Sequence, residues 1–133
     1  MKYIRPYKTL EVYTEAKALV LQVYALLQKF PKEEQYALCD QLRRAAISIP
    51  SNVAEGLGRM SEKEQLRFIE IAYGSLMEVE TQLDLACDLK YITPNDIEGV
   101  MGLIDHEARL LSGLRSHRLK SAHNPSPVTH NPS

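Results

Sequence analysis

The 133-residue chain has no tryptophan, only six glycines and two cysteines, and few aromatic residues. Sparse glycine beside plentiful alanine and leucine favours helices over sheets. No run of about eighteen apolar residues occurs, and no apolar signal region follows the N-terminal Met-Lys-Tyr-Ile-Arg-Pro. A soluble cytoplasmic protein is therefore expected. A bias of charge is missing too: 16 basic and 17 acidic residues leave a formal net charge of −1. Generic nucleic-acid binders are usually basic, so this balance argues against that class. Cys39 and Cys87 both fall at apolar positions of expected helices and read as buried, reduced thiols. They have neither the partners for a metal site nor the spacing of a redox pair.

Catalytic motifs are equally scarce. Glu-x-x-His, the signature of di-iron and di-manganese bundles, does not occur. Of the four histidines, His106 and His117 belong to an expected helix, whereas His123 and His130 fall in the tail. Glu107 follows His106 but points in another direction around the helix, so the two cannot share a metal unaided. No phosphate-cradling glycine loop, nucleophile elbow or zinc-helix motif is present. The reading is of no enzyme, no cofactor, no metal and no catalytic residue.

At 133 residues the chain suits one domain with a real core. It is organised around the stretch from Gln41 to Arg59. Leu38, Cys39, Leu42, Ala45, Ala46, Ile49 and Val53 recur there at the spacing of one buried helix face, with Asn52 on the same stripe. Gln41, Ser48 and Glu55 border it. Tyr36, Ile47, Ala54 and Leu57 point the other way, which implies a second contact surface. Pro50 lacks an N–H and crowds the carbonyl of Ala46, so one helix kinked at the proline is expected. Ser48 and Ser51 are placed to satisfy the freed backbone groups. Gly56 and Gly58 should end the helix by adopting positive φ.

Three further helices follow from similar signals. The first should start near Thr9 as cap, with the stripe Val12, Ala16, Leu19, Val23, Leu26 and Phe30. Pro31 suits the opening turn of the second, with Glu33 and Glu34 at its positive end. Ser61 and Glu64 form a capping box for the third, whose stripe is Leu66, Ile69, Ala72, Tyr73, Leu76, Val79, Leu83 and Ala86. Phe68, Ile71, Met77 and Leu85 lie on its other sides. Thr93 caps the fourth, Pro94 opens it, and Ile97, Val100, Met101, Ile104, Ala108, Leu111 and Leu114 line it. The expected fold is all-α: an antiparallel up-down-up-down four-helix bundle of helices about 20 to 27 residues long. Its bounds are residues 9–120, with an N-terminal extension over 1–8 and a disordered tail over 121–133.

Polar residues at core phase require partners. Arg43, Arg44, Asn52 and Glu55 could face Ser75, Glu78, Glu80 and Gln82 across the second and third helices. A structural network or oligomer contact built from Arg43, Arg44, Asn52, Glu55, Glu78 and Glu80 is the economical reading. An RNA-phosphate site using Arg43, Arg44 and Arg59 is the alternative. Tyr36, Tyr73 and Tyr91 fit packing better than base stacking. The basic cluster Arg115, His117, Arg118 and Lys120 fits a solvated helix end.

Taken as a set, Phe30-Pro31, Gln41-x-Arg43-Arg44-Ala45-Ala46-x-Ser48-Ile49-Pro50-x-Asn52-x-Ala54-Glu55-Gly56-x-Gly58-Arg59 and Ala72-x-Gly74-Ser75-x-x-Glu78-x-Glu80 resemble one family. It comprises four-helix-bundle proteins encoded in intervening sequences of bacterial 23S ribosomal RNA genes. The resemblance runs from about Leu10 to Leu114. It implies a homopentamer without assigned catalytic residues. Related bundles are accessory proteins of diversity-generating retroelements, where a basic pentamer binds a reverse transcriptase and RNA. The near-neutral charge of this chain differs from theirs. The function expected is a non-enzymatic, self-assembling scaffold or accessory protein whose main partner is itself. The alternative is an RNA or ribonucleoprotein binder.

Overall fold

In the computed structural model, which describes residues 5–123, four α-helices pack around one apolar core and no strand occurs among those residues. They are α1 (Glu11–Leu27), α2 (Leu38–Leu57), α3 (Glu62–Asp88) and α4 (Pro94–His123). Each helix packs on its neighbours in the chain, and α1 also packs on α4, closing the ring. The expected stripes are the core: Leu19, Leu42, Ile49, Ile69, Leu76, Leu83, Ile104 and Leu111 are all fully buried. Each such side chain contributes about 1.5–3 kcal/mol by leaving water.

Two helix starts follow the sequence closely. Ser61 Oγ accepts from the Glu64 N–H at 3.1 Å and caps α3. Thr93 and Asp96 bond reciprocally, with Asp96 N to Thr93 Oγ1 at 3.1 Å and Thr93 N to Asp96 Oδ2 at 2.9 Å. Asp96 also takes Lys29 Nζ at 2.7 Å, tying the end of α1 to the start of α4. Its carboxyl is held below the usual carboxylate range, first by Lys29 and then by the Thr93 backbone. At the same end, Tyr91 donates to Glu34 Oε2 at 2.8 Å, and its ring lies 5.6 Å from that of Phe30.

Elsewhere the structure corrects the reading. Thr9 does not cap α1: it closes a 3₁₀ turn over Pro6–Thr9, and its hydroxyl donates back to Pro6 O at 3.0 Å. Pro31 does not open α2. A separate 3₁₀ turn spans Lys32–Glu34, and α2 begins only at Leu38. Pro50 lies inside one continuous α2. Gly56 and Gly58 have no positive φ, and Gly58 sits near −88°. Gly56 is needed for closeness instead: a Cβ there would lie 2.9 Å from Phe68 Cβ and 3.3 Å from Gln65 O. With Ala45, Ala46 and Ala72 it lets α2 and α3 approach along the largest helix–helix interface. Positive φ occurs instead at Lys90, in the turn after α3. The fourth helix continues through His123, past the expected end at 120. The rest of the expected tail, 124–133, lies outside the described residues, as do residues 1–4.

Candidate functional site

The polar seam between α2 and α3 is real but uses different chemistry from that expected. The Ser48 and Ser75 hydroxyls meet at 2.8 Å, and Asn52 Nδ2 donates to Ser48 Oγ at 2.9 Å and to Ser48 O at 2.8 Å. Ser48 thus serves the neighbouring helix and Asn52. Farther along, Gln82 Nε2 donates to Gln41 Oε1 at 3.0 Å and to Glu78 Oε2 at 3.2 Å. Neutral hydroxyls and amides span the interface.

The arginines stay local. Arg43 donates to Asp40 Oδ1 at 2.8 Å, and Arg44 reaches Asp40 Oδ2 only at 3.9 Å while remaining 80 % exposed. Arg59 pairs with Glu55 one turn before it and lies over the Phe68 ring at 4.9 Å. Neither Glu78 nor Glu80 pairs with Arg43 or Arg44, so the expected Arg–Glu network across the helices is not formed. The physical reason is reach: i,i+3 and i,i+4 acids on the same helix lie closer than any acid across the seam. The three arginines of the RNA alternative do not converge within one chain. Arg43 and Arg59 are separated by sixteen residues of α2 and its end, about 24 Å at helical rise. Tyr73 and Tyr91 pack against the core, whereas Tyr36 is 88 % exposed. Arg115 lies over the Tyr73 ring at 4.4 Å, so part of the basic end of α4 is used in packing.

A second cluster, between α1 and α4, was not expected. Glu11 and Glu15 occupy one face of α1, four residues apart. His106 of α4 lies between them, its Nδ1 3.0 Å from Glu15 Oε2 and its Nε2 3.4 Å from Glu11 Oε2. One ligating atom from each of the three residues lies within 4.8 Å of the other two. Beside them Glu107 is fully buried, and neither carboxyl oxygen has a hydrogen-bond partner. One oxygen of Glu15 is likewise buried and unpartnered. Burial pushes the Glu107 carboxyl up to about 8, with the charges of Glu15 and Glu11 adding to the shift. The signal in the sequence was phase: Glu107 falls between Ile104 and Leu111 on the stripe that includes Ile97 and Val100. His106 was legible only as a lone helical histidine, because its partners are some ninety residues away.

Comparison with known proteins bears on the α2–α3 seam and the helices around it. Residues 8–113 match the 23S rRNA-intervening sequence protein family. The chain belongs to this family. No curated protein matches it. A solved structure from Bacteroides thetaiotaomicron, described as a protein of unknown function from the S23 ribosomal protein family, has a similar fold. Its TM-score is 0.72 at 20 % identity, covering 78 % of this chain and 97 % of that one. The match to the 23S rRNA-intervening sequence family reaches all four helices and contains both polar clusters. Among the described residues, no helix is long and apolar enough to cross a membrane.

Proposed function

We propose that this protein is a non-enzymatic scaffold or accessory protein that assembles from copies of itself. Its protomer is an antiparallel up-down-up-down bundle with α2 bent at Pro50. The observation that carries the reading is a second apolar set on three of the helices. Leu21 is 72 % exposed, and Tyr24, Ile47, Ile71 and Leu85 are also exposed although the core is complete without them. On α3, Ile71 and Leu85 are fourteen residues apart and share a face with the exposed Gly74 and Glu78. Apolar faces of this kind are covered in assemblies. The family resemblance supplies the expected number of copies, five.

Replacing both Ile71 and Leu85 by glutamate places two charges on that face without touching the core. The assembly mass should fall towards the single chain while helicity is retained. An unchanged mass in a folded double variant would overturn the assignment of this face. Co-purifying nucleic acid that high salt removes would instead favour the RNA or ribonucleoprotein alternative, with open arginines such as Arg44 summed over several copies.

A further inference from the structure

The α1–α4 cluster has an imbalance that the fold alone does not resolve. Two acids of α1, Glu11 and Glu15, face one imidazole, and a third, the buried Glu107, lies close enough to feel their charge. The imidazole can carry at most one positive charge and has two nitrogens, both already directed at carboxylates. Glu107 is wholly buried with two unpartnered oxygens, and Glu15 has a third buried oxygen in the same condition. Buried polar atoms without partners are rare in folded proteins and call for a specific explanation. Lys17, the nearest lysine in sequence to Glu15, lies over the Tyr13 ring rather than in the cluster.

We propose that Glu11, Glu15 and His106 form a divalent transition-metal site that pins α1 to α4, with Glu107 beneath it as the acceptor for a metal-bound water. One imidazole nitrogen with carboxylate oxygens suits zinc and the metals near it in chemistry. Ligands of a tetrahedral ion at about 2.0–2.1 Å lie roughly 3.4 Å from one another. The 3.0 and 3.4 Å contacts at His106 are made by different ring nitrogens, so one ion can use only one of them; the three candidate ligand atoms lie within 4.8 Å of one another, and rotamer changes close the rest. A turn of the imidazole brings one nitrogen to the ion and leaves the other N–H to donate to a carboxylate, the usual outer support of a metal-bound histidine. Glu11 and Arg109 both edge an apolar groove of about 390 Å³ between Leu10 and Leu114, which borders the outer side of the site. The inference does not depend on the number of copies that assemble.

The test uses the full chain, treated with chelator and dialysed, then titrated with zinc and separately with cobalt(II). One zinc per chain should bind. At a hundredfold excess over its Kd, zinc should raise the thermal midpoint by about 10 °C. Cobalt should give visible d–d absorption. Both responses should disappear in His106→Ala and in Glu15→Gln, with circular dichroism confirming that each variant is folded. Both should survive in His117→Ala. No midpoint shift with zinc, or a shift retained in His106→Ala and Glu15→Gln, would overturn the site. The cluster would then be a structural contact of one histidine with two glutamates.

Discussion

Adding a methyl group at Gly56 and at Gly102 should move stability in opposite directions. Both glycines lie inside helices, where alanine gains up to about 1 kcal/mol in intrinsic propensity. At Gly102 the new Cβ meets no neighbouring atom within 4 Å, so Gly102→Ala should keep most of that gain. At Gly56 the same Cβ would lie 2.9 Å from Phe68 Cβ and 3.3 Å from the Gln65 carbonyl oxygen. Neither neighbour is the free end of a flexible side chain, so α3 must shift bodily or the α2–α3 interface must open. Overpacking of this kind costs about 1–3 kcal/mol. Gly56 is also next to the last residue of α2, where the propensity gain is smallest. The difference between the variants combines about 1–3 kcal/mol of steric cost with up to about 1 kcal/mol of propensity that Gly56→Ala does not gain. Urea unfolding followed by circular dichroism, at one fixed protein concentration, measures that difference. Two variants of equal stability, or a more stable Gly56→Ala, would refute the close approach of α2 and α3.

Other substitutions test the remaining contacts. In chelator, Glu107→Leu should stabilise the fold by about 1–3 kcal/mol, because a buried carboxyl without partners is replaced by an apolar side chain. Destabilisation in urea would mean that the carboxyl has a partner. Tyr91→Phe should lower the urea midpoint by removing the bond to Glu34 while keeping the ring beside Phe30, and an unchanged midpoint would mean that the bond contributes nothing. Asp96 has a folded-state pKa below its ordinary 3.8, so its tie to Lys29 contributes stability above that value. The contribution is lost as pH falls through the lower folded value. Asp96→Asn should therefore be less stable than the parent at pH 6, with the gap closing towards pH 2. A gap independent of pH would contradict the charge-based tie.

The core was legible because helical phase repeats. Val12 to Phe30 and Ile69 to Ala86 could be read residue by residue, since burial follows the three-and-four spacing directly. Caps at Ser61 and Thr93 were equally local, each set by residues three apart. Signals failed where two local options compete. Thr9 can cap a helix or close a turn, and Pro6 selects the turn. Gly56 can terminate a helix or admit a neighbour, and only the position of Phe68 on α3 decides between them. Sequence offers the arginines acids one turn away and acids across the seam, and helix geometry selects the near ones, Asp40 and Glu55. Glu107 falls on the buried stripe, but charged residues are seldom fully buried, so phase alone does not place it in the core. Its neighbours Glu11 and Glu15 meet it only through the α1–α4 packing that closes the ring.

Self-assembly is tested most directly by the molar mass of the purified chain in solution. Light scattering at protein concentrations well above micromolar, in low and high salt, with nucleic-acid absorbance followed, suffices. Five copies of the 15.1 kDa chain predict about 75 kDa at both salt concentrations, free of nucleic acid. A single species of 15.1 kDa would mean that the second apolar faces are ordinary solvent-exposed surface, and would contradict the scaffold reading.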